Sequence, residues 1–225
     1  MAIRAVLLDA GNTLFTERSS RAAVYQAALE RHGVVADEAS VGRAMAETHQ
    51  ELPVELDGAF RYSEAWFVEF IARVFGRLTD GAVPASLAPQ LFTAFEQAET
   101  FRLFDDVLPL LNELRGTVQL AVVSNGSPAL PTVLQNLGLA DFFDGVTVSA
   151  VERVEKPHPE IFHRTLTRLQ VPPQDAFHIG DHWQNDVEGA RSSGLGGVHL
   201  DRVGSDQSPG GIRSLREIPA LLASH

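Results

Sequence analysis

Short apolar runs alternate with amphipathic stretches along most of this chain. The first run, Ala5-Val6-Leu7-Leu8, has no polar position, which is typical of a strand buried on both faces. Similar runs predict four further strands, at 120–123, 146–148, 177–179 and 197–200. Helical patterns follow three of these strands, ending near residue 137 and covering 159–169 and 187–192. This alternation predicts an α/β fold with a parallel, doubly wound sheet and right-handed crossovers.

Only helical patterns occur between the first and second strands. One helix is predicted at 20–32, and another at 63–75, which Gly76 is expected to stop. A third helix follows Pro89, and no strand-like run interrupts the segment. The segment is therefore expected to be a helical insertion.

These patterns divide the chain into two domains. The α/β core is expected to comprise residues 1–15 and 100–225, and a helical cap domain of residues 16–99 is inserted after the first strand. Near the carboxyl end, a stretch rich in Gly, Ser and Pro at 204–211 precedes a last predicted helix at 212–222.

Composition excludes several classes of protein. Hydrophobic residues make up 44% of the 225 positions and charged residues 21%, which excludes wholesale disorder and coiled coil. No apolar run approaches the ~20 residues of a membrane helix, and the apolar start at 2–8 is too short for a signal peptide, so a cytoplasmic protein is expected. The absence of cysteine excludes disulfides, thiolate zinc sites and a cysteine nucleophile.

The charge of the chain limits the classes of molecule that it is expected to bind. The net charge of −11 argues against a nucleic-acid-binding surface, and an anionic substrate would need a local positive device such as a metal ion. Of the 18 basic residues 17 are arginine, and Lys156 is the single lysine. That lysine is either a chance survivor of arginine-biased composition or a position that needs a compact ammonium. Composition alone does not decide between the two.

Polar side chains collect where the predicted strands end, which is where open parallel sheets bind ligands. Asp9 follows the first strand, Ser124 the second, Lys156 comes in a loop after the third, and Asp181 follows the fourth, with Asp186 five residues later. A carboxylate can attack phosphorus or a carbon that bears a leaving group. Clustered carboxylates call for a hard cation such as Mg²⁺, while the hydroxyl and the ammonium suit phosphate oxygens.

Four segments together resemble the ordered motifs of the haloacid dehalogenase superfamily of hydrolases. They are Asp9-Ala10-Gly11-Asn12-Thr13-Leu14, Val122-Val123-Ser124-Asn125-Gly126, Lys156-Pro157, and Gly180-Asp181 through Asp186. The resemblance covers 5–14 and 103–200, and the helical insertion matches the family's cap. It implies a Rossmann-like core and a hydrolase of small molecules that forms a covalent intermediate, with no nucleic-acid or membrane partner.

The resemblance also implies roles for individual residues. The catalytic residues would be Asp9 as nucleophile, Ser124 and Lys156. The substrate-binding residues would be Thr13, Asn125 and Gly126. The Mg²⁺ ligands would be Asp9, the backbone carbonyl of Gly11, Asp181 and Asp186, the last directly or through water.

One departure from the family pattern matters. Phosphatases of the family place a second aspartate two residues after the nucleophile, where this chain has Gly11. That aspartate acts as general acid and base, which is typically worth about 10²–10⁴-fold in rate. His182, directly after Asp181, is a candidate replacement, although an exposed loop position explains it more simply.

The same departure opens an alternative function. The family's dehalogenases also lack the second aspartate, Ser124-Asn125-Gly126-Ser127-Pro128 is similar to their second motif, and Arg43 is a candidate halide-binding arginine. Against this, dehalogenases carry a serine at 181, an asparagine at 183 and a tyrosine at 162, where this chain has Asp181, Trp183 and Phe162. The sequence therefore predicts a Mg²⁺-dependent phosphatase of small metabolites. An L-2-haloacid dehalogenase-like hydrolase and a non-catalytic phosphate- or ligand-binding relative are the alternatives.

Overall fold

The computed structural model describes residues 2–204 and 211–223, so most of the Gly/Ser/Pro stretch at 204–211 lies outside the described residues. Contacts divide the chain into two compact units. The first unit comprises Met1–Thr16, Leu103–Gly126 and Leu137–His225. The second unit comprises Glu17–Arg102 and Ser127–Asn136.

The elements alternate as the sequence predicts in the first unit and are mostly helical in the second. The strands are β1 (Ala5–Leu8), β2 (Phe15–Glu17), β3 (Glu55–Leu56), β4 (Ala59–Phe60), β5 (Phe101–Leu103), β6 (Gln119–Ser124), β7 (Gly145–Val148), β8 (Ala176–Gly180) and β9 (Gly196–His199). The helices are α1 (Arg21–Glu30), α2 (Glu38–Glu51), α3 (Glu64–Leu78), α4 (Leu87–Glu96), α5 (Val107–Leu114), α6 (Leu130–Asn136), α7 (Ser149–Glu152), α8 (Pro159–Leu169), α9 (Gly189–Ser192) and α10 (Ile218–Ala223). A π-helical turn, Trp183–Glu188, precedes α9.

The first unit is built on a five-stranded parallel sheet in the order β7-β6-β1-β8-β9. The central strand β1 aligns Leu8 with Val122 on β6 and with Ile179 on β8. The strand order reverses on either side of β1, which creates the crevice where such sheets bind ligands. The predicted α/β fold with a doubly wound parallel sheet is confirmed.

Burial explains why the strands read as continuous apolar runs. All four residues of β1 are completely buried, because the sheet is covered on both faces. On one face, α8 packs its apolar side against β1 and β6. The buried members of that cluster are Ala5, Leu7, Ala121, Val123, Ile161, Phe162, Leu166, Leu169, Val171, Ala176, Ala190 and Leu195. Each large apolar side chain removed from water contributes about 1.5–3 kcal/mol.

The second unit has an apolar core of its own, centred on aromatic side chains of α1 and α3. The rings of Trp66 and Phe70 stack at 5.5 Å, and Tyr25 meets Phe70 edge-on at 6.4 Å. Helix starts in this unit are capped by polar side chains: Ser20 accepts from the amide of residue 23, Asp37 from that of residue 40, and Ser63 from that of residue 66. Every helix among the described residues is too short or too polar to cross a bilayer.

Three sequence predictions for this segment are wrong. Helix α3 does not stop at Gly76 but continues to Leu78, because Leu78 packs against the apolar core and outweighs the ~1 kcal/mol cost of a helical glycine. A strand pair, β3 and β4, interrupts the helices. Its turn residues Asp57 and Gly58 have φ of 49° and 81°, the conformation that an Asp-Gly hairpin turn requires. The helix predicted after Pro89 begins earlier, at Leu87, because the first turn of a helix tolerates a proline. Helix α2 had no predicted counterpart.

Candidate active site

The sheet topology brings the chemistry-bearing residues to one edge. Asp9 follows β1 directly, and its amide donates to the carbonyl of Ile179 at 2.9 Å, so it continues the sheet register. Ser124 is the last residue of β6, and Asp181 comes immediately after β8. Since β6, β1 and β8 are adjacent and parallel, these three side chains leave the sheet at the same edge.

Lys156 is buried at the centre of this edge, with only 3% of its surface exposed. Its Nζ lies 2.7 Å from Oδ1 of Asp9, 2.6 Å from Oδ1 of Asp186 and 2.8 Å from the carbonyl of Val123. All three ammonium protons therefore have an acceptor. Burial alone would lower the pKa of Lys156, but the carboxylates of Asp186 and Asp9 raise it above its usual value. The lysine is a fixed positive charge.

The backbone of Lys156 is held by the side chain of Asn125. The Asn125 Oδ1 accepts from the amide of Lys156 at 2.7 Å, and its Nδ2 donates to the Lys156 carbonyl at 2.9 Å. The loop then leads into α8, which begins with Pro159 and is capped by His158, whose Nδ1 accepts from the amide of Glu160. Asn125 of the second motif thus helps to fix the position of the Lys156 ammonium in the third motif.

Asp186 is directed inward by the π-helical turn, where the sequence predicted no helix before residue 187. Gly180 makes room for this carboxylate, since a Cβ at position 180 would lie 2.3 Å from Oδ2 of Asp186. Oδ1 of Asp186 accepts from Lys156 and from Nε2 of His178 at 2.9 Å, and Oδ2 accepts from the amide of His182 at 2.9 Å. Burial would raise the pKa of Asp186, but the Lys156 ammonium and the His178 hydrogen bond hold it well below its usual range.

The pKa values of the other two carboxyl groups, Asp9 and Asp181, are raised. Burial raises the pKa of Asp9 to about 6, with Lys156 opposing the shift and the Asp186 and Asp181 charges adding to it. Burial and the Asp186 charge likewise raise the pKa of Asp181, although its hydrogen bond with the Asn12 side chain opposes the rise. One ammonium against three carboxylates leaves this edge strongly negative.

The three carboxylates suit a hard divalent cation. One oxygen from each of Asp9, Asp181 and Asp186 lies within 4.8 Å of the others. Oxygen ligands of this kind are those that Mg²⁺ takes from proteins, usually through one or two carboxylates and several waters. Burial is the main cause of the raised pKa values of Asp9 and Asp181, and repulsion between the carboxylates adds to it; a bound cation would favour the charged form of both groups. The donor set therefore fits Mg²⁺.

The remaining residues of the predicted site lie in the turns beside these groups. Gly11 is exposed, its φ is not in the left-handed region, and a Cβ there would meet nothing within 4 Å. Thr13 is fully buried, and its Oγ1 has no hydrogen-bond partner among the residues that the structure describes. The amide of Gly126 donates to Oγ of Ser149 at 3.0 Å.

Two further candidates have structural roles in their own elements. His182 is exposed, and its Nδ1 accepts from the amide of Asn185, so it caps the π-helical turn. Arg43, in the second unit, is also exposed and donates to Oγ of Ser40 within its own helix. Phe162 is completely buried against the ring of His178 at 5.1 Å.

Sequence reasoning missed two residues that contact the carboxylates. His178 lies in the apolar run of β8. An ionisable residue inside a strand that is buried on both faces needs a polar partner, and this could have marked His178 as a candidate. Asn12 was seen only as part of a turn, and its φ of 55° places it in the left-handed region that asparagine tolerates. Its contact with Asp181 depends on two strands meeting, which no local pattern shows.

Comparisons with known proteins identify the family of the chain. The family model of haloacid dehalogenase-like hydrolases matches residues 3–194. The haloacid dehalogenase-like hydrolase domain-containing protein 3 of Bos taurus is 29% identical over 202 residues, spanning 87% of this chain and 80% of the relative. The structure of a HAD phosphatase from Thermococcus onnurineus is 28% identical, with a TM-score of 0.73 over 98% of both chains. A 2-haloacid dehalogenase from Pseudomonas syringae is 25% identical, with a TM-score of 0.72 over 99% of both chains.

The family match covers strands β1 to β8, the four motifs and the helical insertion between the first two motifs. The similar structures extend over nearly the whole chain and include both a phosphatase and a dehalogenase, so they agree with the fold and do not distinguish the two reactions. This chain belongs to the haloacid dehalogenase-like hydrolase family.

Proposed function

We propose that the chain is a Mg²⁺-dependent phosphatase of small phosphorylated metabolites that forms a covalent intermediate on Asp9. The observation that carries this proposal is the third carboxylate, Asp181, placed with Asp9 and Asp186 around one point. A hydrolase that works without metal gains nothing from a further carboxylate whose burial raises its pKa. A cation-binding phosphatase requires it.

The proposed metal ligands are Asp9, the backbone carbonyl of Gly11, Asp181 and Asp186. Bound Mg²⁺ would offset the negative charge of the phosphoryl group and of the carboxylates. Both oxygens of Asp186 already accept protein hydrogen bonds, from Lys156 and His178 on one and from the His182 amide on the other. Among the described residues Oδ2 accepts only one hydrogen bond and keeps a lone pair, so Asp186 is assigned contact with the ion directly or through water.

The reaction begins with Asp9. Its carboxylate oxygen forms a bond to phosphorus while the bond from phosphorus to the ester oxygen breaks, and that oxygen leaves with the electron pair. Water then attacks the phosphorus of the aspartyl phosphate while the bond from phosphorus to the Asp9 oxygen breaks. The water gives up a proton to solvent, and inorganic phosphate and the Asp9 carboxylate are released. Lys156 holds Oδ1 of Asp9 at 2.7 Å and so fixes the nucleophile while it balances the charge.

Substrate contacts are assigned to the turns around the nucleophile. The Ser124 hydroxyl is proposed to donate to a phosphoryl oxygen, and Thr13, Asn125 and Gly126 to shape the phosphate site. Asn125 contributes by fixing the backbone of Lys156, to which both ends of its carboxamide bond. The helical segment 16–99 is proposed as the cap domain that selects the leaving group, inserted into a core of residues 1–15 and 100–225.

Gly11 limits the substrates. Position 11 carries no carboxyl group to protonate the departing oxygen. His158 and His182 serve as helix caps, and the Nε2 of His178 is hydrogen-bonded to Asp186. The proposed enzyme therefore prefers phosphate esters and anhydrides whose leaving group needs no proton, such as aryl and acyl phosphates.

Gly11 also favours the second candidate, a dehalogenase of 2-haloacids, because halide leaves without a proton. One screen separates the functions: aryl, acyl and alkyl phosphates and L-2-haloacids are each assayed with Mg²⁺ and with a chelator. Phosphate release that the chelator abolishes supports the proposal. Chelator-insensitive halide release supports the dehalogenase, and ligand binding without turnover supports a non-catalytic relative.

A further inference from the structure

Arg202 donates hydrogen bonds to the turn at residues 10–15, which follows Asp9. Arg202 donates from Nη2 to the carbonyl of Thr13 at 2.7 Å and from Nε to the carbonyl of Asn12 at 3.3 Å. Inside the turn, the carbonyl of Ala10 already accepts from the amides of residues 13, 14 and 15. The carbonyls of Asn12 and Thr13 therefore depend on a donor from outside the turn, and Arg202 supplies it.

The guanidinium of Arg202 is itself held in place. It forms a two-pronged pair with Asp106, Nη1 to Oδ2 and Nη2 to Oδ1, both at 2.9 Å, and its Cζ lies 3.8 Å from the ring centroid of Phe104. Asp106 also accepts from Oγ of Ser214 at 2.8 Å and from the amide of Leu215 at 2.9 Å. The side chains of Arg202 and Asp106 are only 17% and 7% exposed, so the pair is largely buried and does not lie on the surface.

Asp9 and this turn carry three groups of the proposed centre: the Asp9 carboxylate, the Gly11 carbonyl and the Asn12 side chain, which hydrogen-bonds to Asp181. We infer that Arg202 is a positioning residue for this centre, an inference that rests on the proposed function. Its planar fork reaches Asp106 and two carbonyls at once. A lysine ammonium is a point charge with three donors and cannot span these acceptors.

The test compares Arg202→Lys with Arg115→Lys. Arg115 is a matched control, because its guanidinium lies 5.1 Å from the ring of Phe142 and 3.5 Å from the carbonyl of Asp141, but at the opposite edge of the sheet. Calorimetry gives the Mg²⁺ affinity without substrate, and kcat, KM and the unfolding midpoint are measured alongside. Loss of a residue that orients metal ligands typically costs about 10–100-fold in metal affinity or activity. That loss is expected for Arg202→Lys alone, mainly in kcat.

Chemical rescue tests whether position 202 requires a planar guanidinium group. Free guanidinium should restore part of the Mg²⁺ affinity and kcat of Arg202→Ala, and methylammonium should not. Folded Arg202→Lys protein whose Mg²⁺ affinity and kcat equal those of Arg115→Lys would overturn the inference, since the contacts would then be structural only.

A third readout does not depend on catalysis. Amide hydrogen exchange should accelerate at residues 12–15, whose amides bond within the turn, in Arg202→Lys but not in Arg115→Lys. If the wild type releases no phosphate and binds no Mg²⁺, the proposed function fails, and this exchange decides the positioning role. The positioning role is overturned if exchange at residues 12–15 of Arg202→Lys is unchanged, or if exchange rises equally across the whole sheet.

Discussion

The Lys156 ammonium lies 2.7 Å from Oδ1 of Asp9, although 147 positions separate the two residues in the chain. The same ammonium also binds Asp186 and the carbonyl of Val123 at distances of 2.6 and 2.8 Å. Three close acceptors around one nitrogen leave space for a tetrahedral ammonium and none for a planar group. The single lysine of this arginine-rich chain therefore occupies a position that the geometry reserves for lysine.

Lys156→Arg should lower kcat by about 10²-fold, the scale seen when one donor to a reacting centre is lost. The guanidinium keeps the charge but is too large to meet three acceptors below 3 Å. Steady-state kinetics with an aryl phosphate measures the effect, and near-UV circular dichroism shows whether the variant is folded. A wild-type rate in the folded variant would make the lone lysine a product of composition.

Asp181→Asn should weaken Mg²⁺ binding by about tenfold or more while leaving the unfolding midpoint unchanged or higher. The amide removes a hard anionic ligand and also relieves repulsion with Asp186 and Asp9. Calorimetry with Mg²⁺ and no substrate measures the affinity. Asp175→Asn is the matched control, since Asp175 lies just before β8, at the other end of the same strand, and pairs with Arg4 at 4.0 Å. Equal Mg²⁺ affinity in the two variants would contradict the assigned ligand set.

The sequence predicted the sheet, and it predicted that Asp9, Ser124 and Asp181 lie at one edge of it, because both depend on local patterns. A buried parallel strand must be an apolar run, so the residue that ends each run marks the edge of the sheet. Helix α8 was predicted to the residue, with Pro159 opening it, because a proline at the first helical position is a strong local signal.

The contacts that the sequence did not predict join distant positions. Arg202 meets Asp106 across 96 residues, and His178 meets Asp186 only because β8 is followed by a π-helical turn rather than an ordinary helix. Gly197 permits that turn, since a Cβ there would lie 2.5 Å from the carbonyl of Val187. Such close approaches follow from tertiary packing, which hydrophobic periodicity does not encode.

Asp106→Asn should cost about 1.5–3 kcal/mol of unfolding free energy at neutral pH, the range for hydrogen bonds to a charged group. Burial would raise the pKa of Asp106, but the bonds from Arg202, the Leu215 amide and Ser214 lower it below its usual value. A carboxyl whose folded pKa is lowered stabilises above its unfolded pKa and loses that contribution as pH falls through the folded one.

The destabilisation of Asp106→Asn should therefore begin to shrink below about pH 4, where Asp106 of the unfolded chain becomes protonated, and should be lost as pH falls through the lower pKa of folded Asp106. Urea unfolding at neutral and acidic pH measures both values. Asp105→Asn is the control, because it removes an equal charge from the adjacent, exposed position. A destabilisation that does not change with pH would show that the charge of Asp106 contributes nothing to the fold.

The final prediction concerns Gly11 and the leaving group. If Asp9 and Mg²⁺ supply the covalent step, Gly11 leaves two functions unfilled: proton delivery to the departing oxygen, which depends on the substrate, and activation of the hydrolytic water, which is the same for all substrates. Wild-type protein should then hydrolyse aryl and acyl phosphates faster than alkyl phosphates by about 10²–10⁴-fold, the usual worth of general acid catalysis. Parallel kcat/KM measurements on esters of the two kinds give the ratio directly.

Gly11→Asp should narrow that ratio by raising alkyl phosphate turnover more than aryl phosphate turnover. The backbone permits the substitution, because the φ of Gly11 is outside the left-handed region and its Cβ would meet nothing within 4 Å. Gly11→Asn is the matched control, since it has the same size but no carboxylate, and it should leave the ratio at the wild-type value. The two substrates are compared as a ratio because partial misfolding lowers both rates alike. A wild-type enzyme without preference for good leaving groups would show that another residue delivers the proton, and His182→Ala would then be the next variant to measure.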